Sequence, residues 1–291
     1  MTHFDFSPEA INALAHSDVA RALAEDVGSG DLTAALIDPK RRARARILVR
    51  EAAVLCGSAW AAAAVSALDP SAVLTWRIKE GERTVADQVV LEIEGQAQAL
   101  LTAERTALNF LQLLSAVATQ TDVFVQAVAS VPGNRAAIVD TRKTIPGLRF
   151  AQKYAVRMGG GTNHRIGLYD AVLIKENHIA AAGGVQAALI QAQKATAAKG
   201  ATFIEIEVET LVQLEEALNA GARMVLLDNM DLATLRQAVA LNSGRAVLEV
   251  SGGVSLSTVR EIAATGVDRI SIGALTKDIC ATDFSMRFEE L

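Results

Sequence analysis

Five basic side chains between residues 142 and 175 are suited to binding one small polyanion together. Two are arginines, whose planar guanidinium group pairs with a carboxylate or phosphate through two parallel hydrogen bonds. The same charges would repel one another in a closed pocket that held no anion. The sequence therefore predicts an enzyme pocket for a polyanionic substrate, lined by Arg142, Lys143, His164, Arg165 and Lys175.

His164 has an alternative interpretation as a structural histidine, because many histidines satisfy both ring nitrogens inside a fold. It follows the glycine run at residues 159–161. Consecutive glycines allow the backbone to approach a ligand closely, which favours a place in the site.

The division of charge along the chain is more informative than the net charge of −5. Residues 140–178 carry seven Lys or Arg against three acids, and residues 203–231 carry seven acids against a single arginine. Glu205 and Glu207 share one side of a predicted strand, and Asp228 ends the next strand. Because an unpaired buried carboxylate is costly, we expect these acids to meet a cation, sugar hydroxyls or a metal ion.

Small residues at two further positions are suited to binding phosphate through free backbone N–H groups. Ser251, Gly252 and Gly253 follow one predicted strand, and Gly273 follows the next. The last two strands of an α/β barrel often end in a phosphate site, which favours this interpretation over two ordinary tight turns.

From residue 117 onward, the pattern is that of parallel strands alternating with helices. Short apolar runs without alternation are typical of strands buried on both faces. Such runs occupy residues 136–139, 171–174, 203–208, 224–227, 247–250 and 269–272. Helices are predicted at residues 185–198, 211–220, 232–241 and 257–264, and helix ends at Gly200, Gly221 and Gly266. Repeated βα units predict an α/β barrel, although six strands fall short of the usual eight. All strand-to-helix loops would open on one face, where the candidate residues meet.

The residues before 117 predict an α+β arrangement. A helix is expected from the N-cap Ser7 and the following Pro8 to about Glu25. Strands are expected at residues 43–53, 73–78 and 89–93. A helix from 102 to about 120 would place Arg105, Asn109 and Gln112 on its polar face.

Three alternating arginines, Arg42, Arg44 and Arg46, lie on one face of the first predicted strand. Strips that bind single-stranded nucleic acid usually combine basic and aromatic side chains, and no aromatic residue interleaves here. We therefore expect a solvated strand face.

The composition is that of a globular chain, with 51% hydrophobic and 21% charged residues. The negative net charge argues against a general nucleic-acid binder. No apolar run is long enough to span a membrane, and the first residues lack the basic start of a secretory signal. Cys56 and Cys280 are far apart without metal or redox spacing, so we expect a reducing, cytoplasmic location.

Several stretches together resemble one enzyme family, the quinolinate phosphoribosyltransferases, also called nicotinate-nucleotide pyrophosphorylases. They are spread along most of the chain: 25–33 (EDVGSGDLT), 102–109 (TAERTALN), 140–149 (DTRKTIPGLR), 159–165 (GGGTNHR), 173–178 (LIKENH), 204–208 (IEIEV), 227–229 (LDN) and 251–253 (SGG). The resemblance implies conversion of quinolinate and phosphoribosyl pyrophosphate to nicotinate mononucleotide, pyrophosphate and carbon dioxide, in de novo NAD biosynthesis.

The resemblance also implies roles for individual residues. The two quinolinate carboxylates would be held by Arg142, His164, Arg165 and Lys175, with Arg105 reaching in from the other subunit of a homodimer. Phosphoribosyl pyrophosphate would be contacted by Lys143, Glu207, Asp228, Ser251, Gly252 and Gly273. Of these, Lys143, Glu207 and Asp228 would be catalytic, and Mg²⁺ would be bound mainly through substrate, near Glu207 and Asp228.

The implied fold is an N-terminal α+β sandwich over residues 1–116 and an incomplete, about six-stranded parallel α/β barrel over residues 117–275. Residues 276–291 would return to the first domain. Three alternatives remain: a paralogue that takes another base, a Schiff-base lyase that uses Lys175, and a phosphosugar sensor without turnover.

Overall fold

The computed structural model describes residues 5–197 and 200–289, which form two compact units. One unit contains an antiparallel sheet and comprises residues 5–122, 145–160 and 276–289. The other contains a parallel sheet and comprises residues 123–144, 161–197 and 200–275. Within these ranges, no helix combines the length and the hydropathy that a bilayer span requires.

The elements are numbered along the chain. The α-helices are α1 (Pro8–Val27), α2 (Ser58–Leu68), α3 (Ala97–Ala129), α4 (Arg149–Met158), α5 (Glu176–Ala182), α6 (Val185–Ala197), α7 (Leu211–Asn219), α8 (Leu232–Asn242), α9 (Val259–Ala263) and α10 (Ala274–Lys277). The strands are β1 (Arg42–Val49), β2 (Val73–Trp76), β3 (Gln88–Gln96), β4 (Ala137–Val139), β5 (Val172–Ile174), β6 (Ile204–Val208), β7 (Met224–Asp228), β8 (Val247–Ser251), β9 (Arg269–Ser271) and β10 (Phe284–Glu289).

The antiparallel sheet has the strand order β10-β1-β3-β2. Every second residue of β1 is buried, as expected for a strand with one face on the core. On the opposite face, Arg44 forms an ion pair with Glu94, and Arg46 with Glu289 at 2.9 Å. The predicted solvated strand face is thus a surface on which arginines pair with acids of the neighbouring strands.

Helix α3 is longer at both ends than the predicted helix of residues 102–120. Its predicted apolar face is buried, with Leu111 and Leu114 fully inaccessible. Its predicted polar face is open to solvent at Arg105 and Asn109. The 3.6-residue periodicity was therefore sufficient to orient this helix.

The first residue of the glycine run has a packing role. A Cβ atom at Gly159 would lie only 2.2 Å from the backbone oxygen of Ala118 in α3. Glycine therefore lets the end of α4 approach α3. At Gly159 the space beside the backbone is thus filled by a neighbouring helix.

The parallel sheet of the described residues has six strands in the order β4-β9-β8-β7-β6-β5. Each strand lies within two residues of its predicted bounds. The two end strands, β4 and β5, are not paired with each other in this order, so the predicted incomplete α/β barrel is confirmed. Gly200, Gly221 and Gly266 follow helices as predicted, each with a positive φ that favours glycine. The predicted last residue of the helix at 185–198 lies outside the described residues.

Helix α2 was not predicted, because its alanine-rich sequence has no polar face to mark it. Its N-terminus is held by Glu80, which accepts hydrogen bonds from the N–H of Gly57 at 2.8 Å and of Ser58 at 3.0 Å. The Ser58 hydroxyl also donates to Glu80. A carboxylate at this end complements the helix dipole as well as the unpaired N–H groups.

We expect Glu80→Ala to lower the free energy of unfolding by about 1–3 kcal/mol, because these donors lose their acceptor. Urea denaturation would measure the change. Glu215→Ala, on the exposed face of α7, is the matched control and should stay within about 0.5 kcal/mol of the wild type. Equal stability of the Glu80 and Glu215 variants would contradict this assignment.

Candidate active site

The carboxyl ends of the parallel strands surround a pocket of about 200 Å³. Parallel strands bring their loops to one face, so residues distant in sequence meet there. The residues that line the pocket include Thr141, Arg142, Lys143, His164, Arg165, Lys175, Glu207, Glu249, Ser251 and Ser271. The predicted cluster of basic residues therefore lines a single pocket.

Arg142 and Arg165 place two positive charges in this pocket. Burial lowers the pKa of Arg165, and the neighbouring charge of Arg142 lowers it further. The charges of Asp170 and Glu205 oppose this effect. An anion bound between the two guanidinium groups would relieve their repulsion, so the pocket is complementary to a carboxylate or phosphate.

Glu207 and Asp228 supply negative charge beside these cations. Lys175 Nζ donates to Glu207 Oε2 at 2.9 Å, and the lysine side chain is half exposed. Burial raises the pKa of Asp228, and the charge of Glu207 raises it further. Two carboxylates that repel each other at a pocket rim are suited to holding a divalent cation, because hard cations prefer oxygen ligands.

Both ring nitrogens of His164 are engaged inside the protein. Nδ1 accepts a hydrogen bond from the backbone N–H of Arg165 at 2.7 Å. A nitrogen that accepts carries no proton, so the neutral ring carries its proton on Nε2. Nε2 then donates to Glu205 Oε2 at 2.7 Å. With Nδ1 accepting, His164 donates to Glu205 through Nε2, and its predicted contact with substrate stays a prediction.

A buried acidic layer lies beneath the pocket. Glu205 and Glu249 are both fully inaccessible, and Arg269 Nε donates to Glu249 Oε2 at 2.7 Å. Burial raises the pKa of Glu205 to about 7, although the charges of Arg269 and Arg165 act in the opposite direction. Burial and then the charge of Glu205 raise the pKa of Glu249. The charge of Glu205 thus disfavours ionisation of Glu249, while the charges of His164 and Arg269 favour it.

His164, Glu205 and Glu249 have ligand atoms within 4.8 Å of one another, a spacing that would suit a metal ion. The tautomer argues against a metal here. Nε2 is the ring atom that faces both carboxylates, and in this arrangement it carries the proton and has no lone pair to offer. The arrangement is better suited to hydrogen bonding than to metal binding.

Two sequence profiles match the chain. The profile of the quinolinate phosphoribosyl transferase N-terminal domain matches residues 31–115, and that of the C-terminal domain matches residues 117–287. The chain belongs to the quinolinate phosphoribosyltransferase family. The resemblance on which the predicted roles rest is thereby confirmed.

Individual relatives of the family cover nearly the full length. The chain is 40% identical over 262 residues to a probable nicotinate-nucleotide pyrophosphorylase (carboxylating) of Bacillus subtilis, which covers 90% of this chain and 89% of the relative. It is 38% identical over 286 residues to quinolinate phosphoribosyltransferase (decarboxylating) 1 of Nicotiana glauca, covering 92% of this chain and 80% of the relative. The solved nicotinate-nucleotide pyrophosphorylase of Francisella tularensis has a TM-score of 0.92 and 41% identity, over 99% of this chain and 100% of that chain.

Among the residues assigned through the quinolinate phosphoribosyltransferase resemblance, Asp228 and Ser251 are register partners at the ends of β7 and β8. The side chain of Lys143 passes close to Gly273, which follows β9. A Cβ atom at Gly273 would lie 3.0 Å from Cδ of Lys143. Arg105 belongs to the unit with the antiparallel sheet and is exposed on α3. Its predicted contact with a partner subunit stays a prediction.

Gly252 has a packing reason to be glycine. A Cβ atom there would lie 2.0 Å from the Asn229 side-chain oxygen. Asn229 Nδ2 in turn donates to Asp228 Oδ2 at 2.9 Å. The missing side chain of Gly252 therefore makes room for the residue that orients Asp228. Its predicted phosphate contact stays a prediction.

Two acids that position the basic loop were not assigned roles from the sequence. Asp140 accepts the N–H of His164 at 2.8 Å and the side-chain amide of Asn163 at 2.6 Å. Asp170 accepts the N–H groups of Ile166 and Gly167, both at 2.8 Å. Acidic residues are rare in this basic stretch, and that rarity is the signal that could have marked them.

We expect Asp170→Ala to lower the free energy of unfolding by about 2–4 kcal/mol, because two nearby backbone donors lose their acceptor. Asp170→Asn keeps one acceptor oxygen and should lower the free energy of unfolding by about half as much. Chemical denaturation of both variants would measure the series. If both variants were as stable as the wild type, Asp170 would not hold this loop.

Proposed function

We propose that the chain converts quinolinate and phosphoribosyl pyrophosphate to nicotinate mononucleotide, pyrophosphate and carbon dioxide, as a step of de novo NAD biosynthesis. The observation that carries the proposal is the pair Arg142 and Arg165 in one pocket at the strand ends of a chain from this family. Both substrates are polyanions, and the pocket needs anionic partners. A magnesium ion, a homodimer and a cytoplasmic location complete the proposal.

Quinolinate carries two adjacent carboxylates on a pyridine ring. Arg142 and Arg165 would bind them through paired hydrogen bonds, and Lys175 would add a third charge. Arg105 of the partner subunit would complete the set, which makes the site a property of the dimer. His164 would form part of the wall, because its ring nitrogens are already engaged.

The phosphoribosyl donor would occupy the other side of the pocket. Lys143 would contact the pyrophosphate of the donor. The 5-phosphate of the donor would lie against Ser251, Gly252 and Gly273. Backbone N–H groups beside small residues suit a phosphate, since they provide donors without steric hindrance. The side chain of Lys143 runs along Gly273, which places its charge beside this region.

In the first step, the pyridine nitrogen forms a bond to the ribose anomeric carbon as the bond to pyrophosphate breaks. The ribose then carries oxocarbenium-like positive charge, which the carboxylates of Glu207 and Asp228 would stabilise or orient through the ribose hydroxyls. The same two residues would hold Mg²⁺, because their repulsion is relieved by a cation. When bound, the ion would neutralise charge on the leaving pyrophosphate.

The second step is loss of the carboxylate next to the ring nitrogen. Ribosylation turns the ring into a pyridinium, whose positive charge stabilises the carbanion that departing carbon dioxide leaves at that ring carbon, and a proton from solvent then takes the place of the lost carboxylate. The protein therefore has only to hold the neighbouring carboxylate on its cations, and proton transfer by a side chain contributes little.

The direct test is to incubate the protein with quinolinate, phosphoribosyl pyrophosphate and Mg²⁺ and to measure nicotinate mononucleotide and carbon dioxide. Arg165→Leu should lower kcat/KM for quinolinate by about 10²–10³, because a substrate carboxylate would lose its paired guanidinium group. Arg236→Leu, on the exposed face of α8, should leave kcat/KM unchanged.

Absence of product from the wild type would overturn the proposal. Turnover of the donor with another base would favour a paralogous activity, and tight phosphosugar binding without turnover would favour a sensor. Borohydride trapping of Lys175 with a carbonyl substrate would favour a Schiff-base lyase. Lys175 is engaged with Glu207, whereas such lysines usually lie in apolar pockets or beside other cations.

The shared site can be tested by mixing an Arg105→Ala chain with an Arg142→Ala chain. One of the two sites in a mixed dimer then retains both arginines, because each site takes Arg142 from one subunit and Arg105 from the other. Random 1:1 mixing should restore about a quarter of wild-type activity. No recovery in demonstrated mixed dimers would show that Arg105 does not cross the interface.

A further inference from the structure

We propose that Glu205 is a positioning residue for the quinolinate pocket, and that it acts through the ring of His164 to hold Arg165 in place. The inference rests on the proposed function for its substrate. Its structural part, the hydrogen-bonded connection from Glu205 to Arg165, can be tested without substrate.

The connection consists of two hydrogen bonds that meet on one imidazole ring. Glu205 Oε2 accepts from Nε2 of His164, and Nδ1 accepts from the N–H of Arg165, each at 2.7 Å. These bonds fix the tautomer and the plane of the ring, as outer-shell carboxylates do for histidines at metal sites. Arg165 therefore takes its backbone position from a carboxylate that the pocket does not expose.

One further contact restricts the ring, and another holds the backbone of His164. Phe203 packs edge-on against the imidazole, with ring centroids 5.3 Å apart. Asp140 accepts the backbone N–H of His164 at 2.8 Å. Rotation of the ring about its long axis would break both bonds of the connection, so the acceptor at Glu205 decides which way the ring faces.

Glu205 does not have the environment of a residue that stabilises the fold. Its side chain is fully inaccessible, and its second oxygen, Oε1, has no hydrogen-bond partner among the described residues. Oε1 of Glu249 likewise has no hydrogen-bond partner among the described residues. Buried, incompletely paired carboxylates generally cost free energy in the folded state. A positioning role therefore predicts that binding and stability respond differently to substitution at residue 205.

Two conservative variants separate the position of the acceptor from its charge. Glu205→Gln keeps an oxygen at the same reach and removes the charge. Glu205→Asp keeps the charge and withdraws the oxygen by one methylene. If Glu205 acts by position, the glutamine variant should stay within about threefold of the wild type, and the aspartate variant should raise the KM for quinolinate about tenfold.

The KM for phosphoribosyl pyrophosphate should stay within about twofold of wild type in both variants, because the connection ends at Arg165. Glu205→Gln should melt at or above the wild-type temperature. Asp18→Asn serves as the matched control, since Asp18 is also buried and accepts from Trp60 Nε1 at 3.0 Å, but lies in the other unit. It should change the melting temperature and leave the KM for quinolinate unaltered.

Nitrogen NMR of ¹⁵N-histidine protein provides the readout that does not depend on activity. The His164 signals, assigned with a His164→Asn variant, should show the proton on Nε2 in the wild type and in Glu205→Gln. They should show a changed or mixed tautomer in Glu205→Asp. A proton on Nδ1 in the wild type would overturn the proposal.

The proposal would also be overturned if Glu205→Gln impaired quinolinate binding while Glu205→Asp did not, since charge would then be the property that matters. Equal KM values in all three proteins would overturn it as well. Failure of the wild type to use quinolinate would instead contradict the proposed function, and the NMR result would still decide whether Glu205 sets the histidine.

Discussion

The repulsion between Arg142 and Arg165 is the constraint on which the rest of the site depends. Both side chains line one pocket, where burial and the neighbouring charge lower the pKa of Arg165. Acids close to Arg165 oppose this lowering of its pKa. Asp170 and Glu205 supply that negative charge, and neither of them lines the pocket. An anion bound between the two guanidinium groups would relieve the repulsion that remains.

The strand order places the two kinds of charge in different parts of the sheet. The basic residues follow the end strands: Arg142 comes after β4, and Lys175 comes directly after β5. The acids Glu207 and Asp228 lie on the inner strands β6 and β7. A substrate with carboxylates and a donor with a ribose between phosphates need this division, because negative groups must meet cations while the reacting sugar carbon meets carboxylates.

The sequence was sufficient for the parts of the structure that local pattern controls. The six parallel strands could be predicted because buried strands are short apolar runs, and the pocket could be predicted because the loops after them carry Arg142, Lys143 and Lys175. Helix α2 was not predicted because an alanine-rich helix has no periodic polar face. The tautomer of His164 could not be predicted at all, since it depends on Glu205, 41 residues further along the chain.

The hydrogen bonds of His164 also bear on the charge of the pocket. A protonated histidine would bring a proton to Nδ1, which would face the N–H of Arg165 and break that contact. A fifth cation would also increase the repulsion that already affects Arg165. A neutral ring avoids both costs and links a buried carboxylate to the backbone of Arg165, which we propose binds substrate. The acid behind the pocket is therefore better understood as part of the substrate site than as part of the hydrophobic core.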